Sequence, residues 1–151
     1  PITKREMVKA RFSLVLTIEA MQVLVCLPFM LLRASYGEIK NAVGIEANVA
    51  FLGFSLVLLG LFNRIFFPMH YKNAYDLGKP FVVSSAALAL GMIILETLQH
   101  VLPYLKDVCD SYEAADQLRQ LPVLFGGLLA FVLLTVHSFS ISVRRFENAD
   151  L

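Results

Sequence analysis

The chain is poor in charge and in cysteine. Of its 151 residues, 17% are charged and two are cysteines, while 58% are hydrophobic and the mean hydropathy is +0.69. Soluble domains carry roughly a quarter charged residues and about 45–50% apolar ones. The shortfall in charge excludes disorder and an ordinary soluble enzyme core. Two cysteines exclude a disulfide scaffold; Cys26 lies in an apolar run and Cys109 in a polar one, so both read as free thiols. No basic stretch interleaves with aromatics, which argues against a nucleic-acid partner. The net charge of +1 selects no partner class. Also missing are H-E-x-x-H, a phosphate-binding glycine loop, G-x-S-x-G and any Cys–Cys metal spacing. Catalytic residues and a metal site are therefore not expected. If the protein works against a gradient, the nucleotide site is on another chain.

What is present is long apolar runs. A spanning helix needs about 20 mostly apolar residues to cross roughly 30 Å of hydrocarbon. Four segments qualify: 12–32, 47–67, 80–98 and 121–143. None alternates with period two, so the reading is all-α: one polytopic transmembrane bundle over 1–151, not a β-barrel. Charge sets the orientation. Lys4, Arg5, Lys9, Arg11, Arg64, Lys72, Lys79, Arg144 and Arg145 make nine of the thirteen basic residues on one side. Arg33, Lys40, Lys106 and Arg119 lie on the other, among most of the acids. The positive-inside rule places both ends in the cytoplasm, as an even number of spans requires. The polar, basic start at Pro1 reads as the interior of a longer protein.

Between the third and fourth spans, Leu105, Val108, Cys109, Tyr112, Ala115 and Leu118 recur at spacings of three and four. That predicts an amphipathic outer-surface helix over about 104–119, lying at the interface or packed on the bundle top. Small residues suggest where helices approach: Ser84, Ala87 and Gly91 on the third span, Gly126 and Ala130 on the fourth.

An acid or base at a helix centre costs about 2.5–3.5 kcal/mol on insertion scales, so intramembrane polar groups draw the first functional reading. Glu19 lies about 10 Å into the first span by helical rise. Gln22 and Cys26 follow on a stripe. His137 lies in the fourth span beside Thr135 and Ser138. Glu19, Gln22 and His137 are candidates for a translocation path. The alternative for Glu19 is a hydrogen bond to a Ser or Asn of a neighbouring helix. Glu96 and His100, at i and i+4, form an ion pair or the beginnings of a metal site.

Thr3-Lys4-Arg5-Glu6 fits the capping box, with Thr3 as N-cap and Glu6 reaching back from N3; Ile2 and Met7 are placed for the accompanying staple. A short basic helix is expected just before the membrane, where its plain role is to anchor to anionic membrane lipid.

The stretch Pro1 to Phe12, with Thr3, Lys4-Arg5, Val8 and Arg11-Phe12, resembles the cytoplasmic connection between the second and third spans of small bacterial ABC-transporter permeases of the type-two exporter class. Phe67-Pro68-Met69-His70-Tyr71-Lys72 and Tyr75-Asp76-Leu77-Gly78-Lys79 resemble that family's next inner loop. The family has six spans; this chain shows four. The resemblance implies a membrane subunit that pairs with a second permease subunit and with cytoplasmic ABC ATPase subunits in the bacterial cytoplasmic membrane. It implies no cofactor in this chain, ATP and Mg being held by the ATPase. It implies that Ile2, Thr3, Lys4, Arg5, Glu6, Met7 and Val8 form the ATPase-coupling helix, with His70, Tyr71, Lys72 and Lys79 in the second inner loop. A peptide, lipid-like molecule or drug is the implied export substrate. The rivals are a secondary or proton-coupled transporter using Glu19 and His137, an intramembrane enzyme, and a non-transporting assembly or sensor subunit.

Overall fold

A computed structural model describes residues 2–35, 46–73, 76–109, 111 and 113–149. The loop residues Gly37, Glu38, Lys40 and Gly44, and also Tyr75, Asp110 and Tyr112, lie outside the described residues. The chain is all-helical among the described residues, in the order α1 (Lys4–Ser35), α2 (Val49–His70), α3 (Gly78–Val101), α4 (Pro103–Val108) and α5 (Ala114–Glu147). As the composition predicts, four of these helices are long and apolar enough to cross a membrane. At 32 and 34 residues, α1 and α5 are about 48 and 51 Å long, well beyond the hydrocarbon thickness.

The α2–α5 pair is the spine. The two helices run parallel, and glycine brings their backbones into contact. A Cβ on Gly53 would lie 2.5 Å from the Val123 carbonyl oxygen, and one on Gly60 would lie 3.0 Å from the Cα of Phe131. A Cβ on Gly127 would overlap the Gly53 carbonyl. In lipid there is no hydrophobic drive between helices, so close backbone approach through small residues supplies the attraction. The fourth-span glycine that packs is Gly127; Gly126, the one its spacing singled out, faces open space. On α3, Gly91 meets the Leu58 side chain of α2, and Ser84 is buried with its hydroxyl on the Pro80 carbonyl at 2.7 Å.

Two elements differ from expectation. The basic N-terminal turn is not a separate short helix but the first turns of α1, because no Gly or Pro interrupts Lys4 to Leu27. The expected helix over 104–119 is divided: α4 ends at Val108 and 114–119 are the first turns of α5. Long-range bonds cause the division. Asn48 Nδ2 donates to the Cys109 carbonyl at 2.6 Å, and Gln120 Nε2 donates to the carbonyls of Val108 and Ser111 at 2.7 and 3.0 Å. Those carbonyls are taken by side chains instead of continuing a helical ladder. Gln120 Oε1 also accepts the Ala50 N–H at 3.1 Å, tying the start of α5 to the first turn of α2.

The glycine contact makes a prediction on two adjacent positions. Gly127→Ala drives a methyl into the Gly53 backbone and lowers stability by roughly 1–3 kcal/mol, the range for overpacking. Gly126→Ala meets nothing and is neutral or slightly stabilising through helix propensity. Thermal unfolding of the two detergent-purified variants checks this; equal midpoints would refute the packing assignment.

Candidate functional site

The chain's two described ends meet at one end of the bundle. Thr3 N–H donates to Glu6 Oε2 at 2.8 Å, and the Glu6 N–H donates to Thr3 Oγ1 at 3.2 Å, which is the reciprocal capping box. Below this cap, Val8 and Phe12 turn inward at i and i+4. They join Phe67, Tyr71 and Phe146 in a buried cluster. Phe12 stacks on Phe67 with centroids 3.9 Å apart, and Tyr71 lies 5.2 Å from Phe146. Lys4 Nζ donates to the Ala149 carbonyl at 2.8 Å and sits 5.8 Å from the Phe146 ring centre, so a residue of α1 closes the end of α5. Arg11 Nη1 lies 3.1 Å from His70 Nε2. A guanidinium can only donate, so Nε2 is the acceptor. Burial pushes the Tyr71 phenol up, against the pull of the nearby Arg11 guanidinium.

The expected coupling residues therefore divide by face. Val8 is buried in the aromatic cluster and Lys4 is half-buried at the end of α5. Ile2, Thr3, Arg5, Glu6 and Met7 remain exposed. Arg5, Glu6 and Lys9 border a groove of about 510 Å³ between α1 and α5 that is floored by Phe12, Phe139 and Thr135. The loop residues divide similarly: His70 and Tyr71 are buried, whereas Lys72 and Lys79 are exposed.

Deeper in the bundle, Glu19 is buried, and Asn63 Nδ2 donates to its Oε2 at 3.1 Å. Ser138 Oγ donates to the Asn63 backbone carbonyl at 2.6 Å. One buried polar contact thus joins α1, α2 and α5. This is the interhelical hydrogen bond weighed for Glu19. The expected stripe does not hold together. Gln22 is exposed beside Ile18, Met21 and Val25, and Cys26 is half-buried. No described side chain of α1 beyond Glu19 is buried. His137 is exposed on α5, one residue from buried Ser138 and therefore about 100° around the helix. Glu19 and His137 do not share a face. Asn63 and Ser138 were visible in the sequence as polar residues inside apolar runs, but their pairing needs the α2–α5 register.

At the opposite end, Glu96 Oε1 lies 3.2 Å from His100 Nε2, and Arg33 pairs with buried Glu46 at 3.3 Å. Among the described residues no group of three His, Cys, Asp or Glu could hold a metal ion. Cys109 is buried under α4, and burial pushes its thiol up.

Two predictions come from this geometry. Glu19→Gln keeps an acceptor for Asn63 and leaves stability near that of the parent. Glu19→Leu strands a buried amide and costs about 1–3 kcal/mol, read by thermal unfolding in detergent. The Cys109 thiolate appears only at higher pH than for an ordinary thiol. Its maleimide labelling in the folded protein is therefore slow near neutrality and accelerates as pH rises. Labelling as fast as in the unfolded protein would contradict the burial.

Among protein families, the model of the ABC-2 family transporter protein matches residues 1–147. Comparison with curated proteins and with solved structures gives no match. The match spans all four membrane-length helices and both polar stretches at the terminus-bearing end. The chain belongs to the ABC-2 transporter membrane family, the permease components of ABC transporters, and is a membrane protein.

Proposed function

We propose that this chain is the membrane-spanning permease subunit of an ATP-driven exporter. It works with a second permease subunit and with cytoplasmic ATPase subunits that hold ATP and Mg. It catalyses no reaction itself. The terminus-bearing end faces the bacterial cytoplasm, in keeping with the basic asymmetry of the loops. The substrate class that goes with this reading is a peptide, a lipid-like molecule or a drug.

The observation that carries the reading is how the capped start of α1 is built into the bundle. Its exposed face, with Arg5 and Glu6, is open for a partner, while Val8 and Phe12 on the same two turns are locked against Phe67, Tyr71 and Phe146. A push on the exposed face reaches the ends of α2 and α5 directly. The Glu19–Asn63–Ser138 contact makes the three helices respond together farther along. Closure of the ATPase pair on ATP supplies the push. A proton-coupled path through Glu19 and His137 has no such support, since His137 faces away.

The test separates docking from folding. Thr3→Ala removes the cap at roughly 0.5–2 kcal/mol of local helix stability, small against four inserted spans. Combined with Arg5→Glu, it leaves expression and thermal midpoint near the parent. It reduces co-purification of the ATPase and abolishes substrate-stimulated hydrolysis. Phe12→Ala instead lowers the midpoint, by roughly 3–5 kcal/mol of core packing. An unchanged ATPase interaction in the double variant would refute the assignment.

A further inference from the structure

A second feature of the terminus-bearing end is independent of the ATPase reading. A cavity of about 590 Å³ opens where the α2–α3 turn, the start of α3 and the end of α5 converge. Its walls carry three cations from these three elements, Lys72, Lys79 and Arg145, together with Asn73, Asp76 and Pro80. The volume lies within the roughly 300–1,000 Å³ of small-molecule sites.

Its chemistry is one-sided. The only described carboxylate in the wall, Asp76, is committed to the chain itself: its Oδ1 accepts the Lys79 backbone N–H at 3.1 Å. Among the described residues no acid forms an ion pair with Lys72, Lys79 or Arg145. Arg145 is held in place, because its Nη1 donates to the Pro68 carbonyl. That carbonyl is left over at the end of α2, where the Lys72 N–H bonds Met69 instead. A fixed guanidinium, two flexible ammonium groups and the Asn73 amide form a donor set suited to the several oxygens of a phosphate ester.

The position decides the source of the phosphate. The cavity sits at the ends of membrane-length helices, at the depth where apolar side chains give way to charge. Beside it, Val82 projects from α3 as an exposed apolar group at the head of the face that carries exposed Ile93, eleven residues and about three turns further along. A phosphate at the cavity would place acyl chains along that face. We propose that the cavity binds the phosphate of an anionic phospholipid, with Lys72, Lys79 and Arg145 as its ligands. The net excess of two positive charges favours an anionic headgroup over a zwitterionic one.

The test uses the purified full chain with whatever partners accompany it. Native mass spectrometry is run on protein released from micelles doped with equal mole fractions of phosphatidylglycerol or phosphatidylcholine. The expected result is selective retention of phosphatidylglycerol, weakened about five-fold by Lys72→Gln or Lys79→Gln and about 25-fold by both, following the usual gain per basic residue at an anionic surface. Both side chains are exposed, so folding is untouched. Lys106→Gln, at the opposite end of the bundle, leaves retention unchanged, and excess inorganic phosphate does not displace the lipid. Equal retention of the two lipids overturns the proposal, as does the same loss in Lys106→Gln. Displacement by inorganic phosphate would mean a soluble anion is the ligand. Unchanged lipid retention with lost ATPase co-purification in the double variant would assign the cations to a protein partner instead.

Discussion

Everything else in the bundle depends on the contact between the backbones of α2 and α5 at Gly53 and Gly127. Two helices in lipid gain nothing by hiding apolar side chains from each other, so what holds them is dispersion at short range and whatever polar bonds that range allows. Here the close approach allows three. The Ala50 N–H reaches Gln120, the Asn63 carbonyl reaches Ser138 and the Pro68 carbonyl reaches Arg145. They lie near the start, the middle and the end of α2. A residue with a Cβ at Gly127 would separate the backbones and lengthen all of them at once. The parallel sense of the pair also dictates the connection between them. The chain must return across the bundle before α5 can begin beside α2, and α3 with the short α4 makes that return.

α1 is attached to this spine, not part of it. It is held by the aromatic cluster around Phe12 and Phe67, by the closure of α5 through Lys4, and by the Glu19–Asn63 bond. Beyond Glu19 its apolar residues face outward, Leu24, Val25, Phe29 and Leu31 among them. The helix is therefore tightly gripped along its first half, whereas its second half is held near the end by the Arg33–Glu46 ion pair at 3.3 Å. Val8 and Phe12 tie its capped end to the ends of α2 and α5 within about two turns.

The parts of this architecture legible in the sequence are those set by local chemistry. Long apolar runs need no partner to be recognised as spans. The Thr3–Glu6 box closes within one turn, so four residues suffice to predict it. What was not legible is what a partner decides. Gly126 and Gly127 differ by about 100° around the helix, and nothing within α5 says which faces α2. The same uncertainty of phase applies to Gln22 and His137, whose polarity suggested an inward face and which are exposed in this bundle. Periodicity at three and four residues runs unbroken from Leu105 to Leu118, yet the helix is interrupted, because Asn48 and Gln120 reach in from distant positions to take its carbonyls.

The Glu19 contact shows why such a residue persists at depth. Placing an acid within a span costs about 2.5–3.5 kcal/mol on insertion scales, and one hydrogen bond to Asn63 returns only about 0.5–1.5 kcal/mol. As a stability device it loses. As a register device it works, because apolar contacts have no direction, whereas the Asn63 amide meets the Glu19 carboxylate in one placement of α1. That placement keeps Phe12 against Phe67 and Arg11 against His70. Under the coupling proposed above, a force delivered at Arg5 would move α2 and α5 only if α1 neither slid nor rotated, and the Glu19–Asn63 bond opposes both together with the aromatic cluster and Lys4.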